Sequence, residues 1–119
     1  MRSSLVVRPR LARPRGYAHA VSRTALAELQ AWYQSQCDGD WEHQYGISIE
    51  SLDNPGWSLR VDLQGTDLAE RTLEPLEERR TADDWLYSAA RDGQFRAAGG
   101  PRNLGEMIDV FLRFVRGEL

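Results

Sequence analysis

Two alternating segments joined by a short turn signal constrain the fold of this chain most strongly. Residues 45–52 and residues 57–64 each alternate apolar with polar side chains, a pattern typical of a β-strand with one buried face. Residues 53–56 between them read Asp-Asn-Pro-Gly, in which Pro presets φ for a turn and Gly allows a positive φ. The sequence therefore predicts an antiparallel β-hairpin.

The register of this hairpin can be predicted from its loop. A loop over residues 54–56, with Gly56 in the left-handed conformation, aligns the apolar faces of the two strands. A shift by one residue would oppose apolar and polar side chains, which a half-buried hairpin resists. The pairs that this register predicts are Asp53–Trp57, Glu50–Arg60, Ile49–Val61 and Ile47–Leu63.

Amphipathic helices are predicted on both sides of the strands. Thr24 can cap a helix that runs to about Gln36, because apolar residues recur there at helical spacing. Asn103 and Glu106 form a capping-box pattern before the strong apolar stripe of a closing helix.

The segment between the first hairpin and the closing helix predicts further strands. Residues 84–99 are expected to form a second hairpin, because Asp92-Gly93 is a strong two-residue turn signal. Residues 71–76 are expected to form a strand that Pro75 confines to an edge of the sheet. The charged residues 77–80 are expected to form a solvated loop.

These elements together predict an α+β fold. We expect an antiparallel sheet of four to five strands flanked by an N-terminal and a C-terminal amphipathic helix, both on one face. The length of 119 residues fits one domain, which we assign to residues 24–117. Residues 1–23 are predicted to be a disordered Arg/Pro-rich tail. An organellar transit peptide is the alternative for that segment, and its translation and function stay open.

The charge of the chain is unevenly distributed. Residues 1–23 carry six Arg and no acid, whereas residues 24–119 carry nine Arg and all eighteen acids, a formal charge of −9. Such an acidic domain repels nucleic acid and attracts basic partners. A lone cysteine fits a reducing cytosol, and no apolar run approaches the roughly 18 residues that span a bilayer. We therefore expect a cytoplasmic protein that binds neither nucleic acid nor membranes.

A dense cluster of reactive and charged side chains follows the first predicted helix. Asp38, Asp40 and Glu42 lie within five residues, and their mutual repulsion becomes favourable when a basic surface arrives. Trp41 between them is expected to expose its ring as an apolar anchor, with Asp53 contributing from the hairpin end. The alternative is that Asp38 and Asp40 only shape a turn, with Glu42 solvated and the Trp41 ring folded over the sheet edge.

Metal and catalytic sites are less well supported by the same segment. A calcium loop starting at Asp38 would need Gly where His43 stands and Glu where Ile49 stands. Cys37 and His43 supply only two zinc ligands, and no phosphate-binding or dinucleotide motif is present. No metal and no cofactor are therefore expected. A Cys37–His43 nucleophile–base pair remains the catalytic alternative.

Taken together, these residues resemble the immunity protein 53 family of bacterial polymorphic-toxin systems. The resemblance rests on residues 32–33, 36–47, 52–57, 62–63 and 66, with weaker similarity at residues 84–85, 95, 99 and 104–114. It extends over about residues 26–115. It implies a protein that binds a cognate toxin stoichiometrically and blocks it, and it brings no catalytic residues.

Under this resemblance the predicted site becomes a toxin-binding site. Its residues are Asp38, Asp40, Trp41, Glu42 and Asp53. Two other functions stay open, namely a small cytosolic enzyme that uses Cys37 and His43, and a regulatory module for an unrelated basic protein. The identity and activity of the toxin and the oligomeric state are not indicated by the sequence.

Overall fold

The computed structural model describes residues 24–119, which form three helices and five strands. The predictions for residues 1–23 lie outside the described residues. None of the described helices has the length and apolar character needed to cross a membrane. In chain order the elements are α1 (Ala25–Gln36), α2 (Trp41–Gln44), β1 (Ile47–Leu52), β2 (Gly56–Asp62), β3 (Leu73–Thr81), β4 (Asp84–Arg91), β5 (Gln94–Gly99) and α3 (Leu104–Val115).

The strands form one antiparallel sheet in the order β1-β2-β5-β4-β3. This arrangement confirms the predicted α+β class and the upper end of the predicted strand number. The second hairpin, β4–β5, turns at Asp92 and Gly93 as predicted, and both residues have positive φ. Among the described strands, β1 and β3 form the two edges of the sheet.

The core lies between the sheet and α3. Phe111 and Phe114 of α3 are fully buried against Phe95 of β5, with ring centroids 5.1 and 5.6 Å from the Phe95 ring. The first helix, α1, packs beside α3, where Trp32 meets Phe111 edge-to-face at 5.0 Å. Both terminal helices therefore cover one face of the sheet and leave the opposite face uncovered within the described part of the chain.

The predicted register of the first hairpin is wrong by two residues. Leu52 pairs with Gly56, so the loop is residues 53–55, and Gly56 is not among the glycines with positive φ. Gly56 instead begins β2, where a Cβ would collide with the carbonyl oxygen of Gly99. The observed pairs that replace the predicted ones are Ile47–Val61, Ser48–Arg60, Ile49–Leu59 and Glu50–Ser58.

The solvated loop predicted over residues 77–80 is also wrong. These residues belong to β3, which pairs with β4 and is interrupted by two register shifts. Its exposed charged side chains suit an edge strand, and Pro75 stands there without a backbone N–H. The prediction that Pro75 marks an edge is confirmed.

Helix caps agree with prediction at α1 but not at α3. The Thr24 hydroxyl accepts a 3.0 Å hydrogen bond from the Ala27 amide and caps α1 as expected. Asn103 occupies the N-cap position of α3, but its side chain accepts from the amides of Trp85 and Gly100 instead of from its own helix. The predicted capping box is therefore replaced by a link between α3 and the sheet.

Candidate partner-binding site

The acidic segment after α1 forms a tight turn that its own carboxylates stabilise. Asp38 Oδ1 accepts hydrogen bonds from the amides of Asp40 and Trp41, both at 3.0 Å. The Glu42 carboxylate accepts from the amides of Asp38 at 3.0 Å and Gly39 at 2.9 Å. Gly39 adopts a positive φ of 95° at the centre of this turn. Asp38 therefore shapes the turn, as the alternative sequence interpretation proposed. Glu42, which that interpretation left solvated, shapes the turn as well, whereas the Asp40 carboxylate makes no such bond within residues 24–119.

These hydrogen bonds also keep the turn negatively charged. The backbone N–H groups of Trp41 and Asp40 lower the pKa of the Asp38 carboxyl, because a bond to the ionised form favours it. The pKa of the Glu42 carboxyl is lowered by the N–H groups of Glu42 itself, Asp38 and Gly39. The turn consequently presents fixed negative charge, with Asp38 and Asp40 exposed to solvent.

The prediction that the Trp41 ring is exposed is wrong. Trp41 is only 5% exposed, and its indole Nε1 donates a 2.8 Å hydrogen bond to the carbonyl oxygen of Gln64. Trp32 and Tyr33 of α1 lie against the ring at centroid distances of 6.0 Å each. The one-turn helix α2 directs the indole inward, so Trp41 supports the acidic turn from beneath.

The five predicted site residues lie at two places, namely the acidic turn and the end of the first hairpin. Residues 38–42 precede β1, whereas Asp53 follows it in the β1–β2 loop. Six residues of strand separate the two places, which corresponds to about 20 Å at roughly 3.3 Å per residue. Within residues 24–119, the carboxylates of Asp40 and Asp53 form no hydrogen bond or ion pair. Both residues are exposed to solvent in the described part of the chain.

The catalytic alternative lacks the contact that it requires. The Cys37 thiol donates a 3.3 Å hydrogen bond to the Tyr33 carbonyl oxygen one helical turn earlier. His43 is exposed in α2, and no hydrogen bond joins the two side chains in the described part of the chain. In that same part, no three His, Cys, Asp or Glu side chains converge in an arrangement suited to a metal ion.

An apolar groove beside β1 was not anticipated from the sequence. It encloses about 310 Å³ and is lined by Leu29, Gln30 and Tyr33 of α1 together with Gly46 and Ile47. Tyr33, which lines the groove, and Ile49, two residues beyond Ile47 along β1, are each 39% exposed. Period-two alternation assigned both Ile47 and Ile49 to the covered face, but it could not show that the cover ends before the edge strand.

Comparison with protein families identifies a family model that covers most of the chain. The family model of immunity protein 53 matches residues 26–116, which is nearly the whole described domain and includes the acidic turn, β1 and Asp53. Neither a curated protein nor a solved structure matches the chain significantly. The extent of the family match agrees with that of the resemblance, about residues 26–115, and the chain belongs to the immunity protein 53 family.

Proposed function

We propose that this protein binds a cognate toxin of a bacterial polymorphic-toxin system in the cytoplasm and neutralises it by stoichiometric contact. Membership of the immunity protein 53 family supports this role. The chemical character of the partner is indicated by the excess of acidic residues in residues 24–119, which contain eighteen Asp or Glu and nine Arg. A basic toxin surface is complementary to that charge, and complementarity accelerates association and favours the correct partner.

The acidic turn and Asp53 are the proposed contact points. Asp38 and Glu42 are held in place by the turn, whereas the carboxylates of Asp40 and Asp53 face solvent. Pre-positioned charges lose little conformational freedom when a partner binds, so more of their electrostatic attraction is retained. Trp41 contributes indirectly, because its indole holds the turn against Gln64. It does not contact the toxin as the exposed apolar anchor that the sequence predicted.

The geometry favours binding over catalysis. An enzyme based on Cys37 and His43 would need the imidazole within hydrogen-bond reach of the thiol. The thiol is instead engaged with a carbonyl oxygen of its own helix. A binding protein makes no such demand, so Cys37→Ser is expected to keep the protective function, measured as survival of cells that express the toxin.

The experiment compares two variants of equal net charge. Asp40→Asn combined with Asp53→Asn removes two carboxylates from the proposed contact points, and Glu74→Gln combined with Asp109→Asn removes two from β3 and α3. Stopped-flow association with the purified cognate toxin domain should slow by about tenfold for the first variant, with a reduced salt dependence. The second variant should associate at nearly the wild-type rate.

Two results would contradict the proposal. Absence of any complex between the wild-type chain and that toxin domain would remove the neutralising function. Equal slowing by both double variants would show that only overall charge matters, and would exclude Asp40 and Asp53 as specific contact points. Circular dichroism of each variant establishes beforehand that the fold is intact.

A further inference from the structure

We propose that the toxin adds a β-strand to the free edge of β1 and seats an apolar side chain in the groove between β1 and α1. This inference rests on the proposed function and specifies how the partner is held. Two features that the acidic residues do not explain support it, namely the open edge of β1 and the exposed apolar groove beside that strand.

The first observation is the difference between the two edges of the sheet. The β3 edge contains Pro75, two register shifts and several exposed charged side chains. Each of these features hinders pairing with another strand. The β1 edge, Ile47–Leu52, contains no proline and a single charged residue, Glu50, and its pairing with β2 has no register shift. Only β1 therefore presents a regular edge on which a further strand can be added.

The hydrogen-bonding pattern identifies which groups of β1 are available. The amide of Asp62 donates to the carbonyl of Gly46 at 3.0 Å, and the pairing continues from there without a shift. Because bonded pairs alternate along an antiparallel ladder, Ser48 and Glu50 direct their backbone groups to β2. The N–H and C=O groups of Ile47, Ile49 and Ser51 consequently point away from the sheet.

The groove supplies a place for side chains of the added strand. It lies between α1 and the start of β1, and is lined by Leu29, Tyr33 and Ile47 among others. Ile49 extends the apolar surface along the strand, with 39% of its surface exposed. Strand addition typically combines main-chain hydrogen bonds with pockets for alternate side chains, and both components are present here.

Charge specifies the occupant as a basic segment of another protein. Asp38, Asp40 and Glu42 lie before β1 and Asp53 lies after it, so carboxylates stand at both ends of the open edge. A toxin strand with Arg or Lys about six residues apart would match both ends. A second copy of this chain would instead bring carboxylates together, because antiparallel pairing sets the start of one β1 beside the end of the other.

The decisive variant is Ile49→Arg, with Leu76→Arg as its control. Ile49 and Leu76 are 39% and 43% exposed on opposite edges of the sheet, so both variants add the same charge at similar cost to folding. Titration calorimetry of the full-length chain with the cognate toxin domain should show affinity lowered by at least about thirtyfold for Ile49→Arg, as expected for the centre of an interface. Leu76→Arg should change affinity by less than about threefold.

Amide hydrogen exchange of the wild-type chain provides a readout that needs no variant. On toxin binding, exchange at Ile47, Ile49 and Ser51 should slow at least about tenfold, whereas exchange at Ser48 and Glu50, already bonded to β2, should change less. Slowing at none of these positions would overturn strand addition even if the toxin binds.

The outcomes separate this inference from the proposed function. A wild-type chain that does not bind the toxin domain overturns both. Tight binding that Ile49→Arg leaves unchanged overturns only the use of β1. Concentration-dependent dimerisation that Ile49→Arg abolishes, seen by sedimentation without toxin, would assign the edge to a second copy. Amide exchange at Ile49 could also be slow without toxin and become fast when residues 1–23 are deleted. That result would assign the β1 edge to residues 1–23 and overturn its use by the toxin.

Discussion

The indole of Trp41 is joined to the carbonyl oxygen of Gln64 by a 2.8 Å hydrogen bond, which fastens the acidic turn to the loop after β2. The ring also lies against Trp32 and Tyr33 of α1. One side chain therefore connects the first helix, the turn and the sheet. The position of Asp38, Asp40 and Glu42 relative to β1 depends on this contact.

Trp41→Phe should lower the free energy of unfolding by about 1–3 kcal/mol, because the buried aromatic contact is largely kept while the Gln64 carbonyl loses its donor. Urea denaturation measures the change. Trp57→Phe is the control, since the indole of Trp57 donates to Pro101 in an exposed position, where water can replace the lost bond. Equal destabilisation by the two variants would show that the hydrogen bond to Gln64 has no special weight.

Gly56→Ala should lower the free energy of unfolding by about 1–3 kcal/mol, because the added methyl group overpacks the β2–β5 ladder. Its Cβ would collide with the carbonyl oxygen of Gly99, a backbone atom that cannot rotate away. Gly105→Ala is the control in α3, where nothing beyond the adjacent backbone of its own helix lies within 4 Å of the added Cβ. Thermal unfolding should show no loss for that variant and a gain of up to about 1 kcal/mol.

The same glycine explains why the hairpin was predicted but its register was not. The sequence pattern identifies the covered face of each strand, and a shift by two residues leaves those faces unchanged. The sequence pattern therefore does not distinguish a register that pairs Ile47 with Leu63 from one that pairs Ile47 with Val61. The predicted register needs Gly56 in a left-handed loop position, but Gly56 begins β2 and lies against Gly99 of β5. This contact with a residue far along the chain is not revealed by local turn preferences.

Asn103→Ala should lower the free energy of unfolding by about 1–3 kcal/mol, because it leaves the Trp85 amide without its acceptor, whereas the Gly100 amide keeps the Trp85 carbonyl oxygen. Asn103 is buried, and its Oδ1 accepts from the amides of Trp85 at 3.2 Å and Gly100 at 3.1 Å. Arg102→Ala, in the preceding exposed position, is the control and should have little effect. The unfolding of both variants is measured by chemical denaturation. Equal denaturant midpoints for Asn103→Ala and Arg102→Ala would contradict the role of Asn103 as an acceptor.

Asn103 and Trp41 show where local sequence patterns reach their limit. The N-cap position and the acidic cluster were both recognisable from residue type and spacing. Their side chains, however, bond to Trp85, Gly100 and Gln64, partners that are defined only once the sheet is assembled. Burial of Trp41 in particular depends on α2, a single helical turn of four residues that is too short to leave a periodic signal.

The edge strand β3 shows a second limit of the same kind. Its residues 77–80 are all charged and read as a solvated loop, because no apolar alternation marks a buried face. In the structure β4 supplies the hydrogen bonds, and the charged side chains remain at the surface. The stabilisation of β3 thus comes from a neighbour in the sheet, whereas the pattern of its own side chains carries only the information that it lies at an edge.

The ion pair between Arg80 and Asp84 should make the stability of the protein depend on acid pH. Arg80, with help from Asn103, lowers the pKa of the Asp84 carboxyl from 3.8 to about 2. Because the pKa is lower in the folded state, the ionised form contributes stability above about pH 4 that is lost as the pH falls toward 2. Asp84→Asn should therefore lower the melting temperature at pH 7, and the difference from wild type should shrink between pH 4 and pH 2. Asp53→Asn, which removes an exposed loop carboxylate, controls for the change in net charge, and a deficit of Asp84→Asn that stays constant down to pH 2 would contradict the assignment of this acid dependence to Asp84.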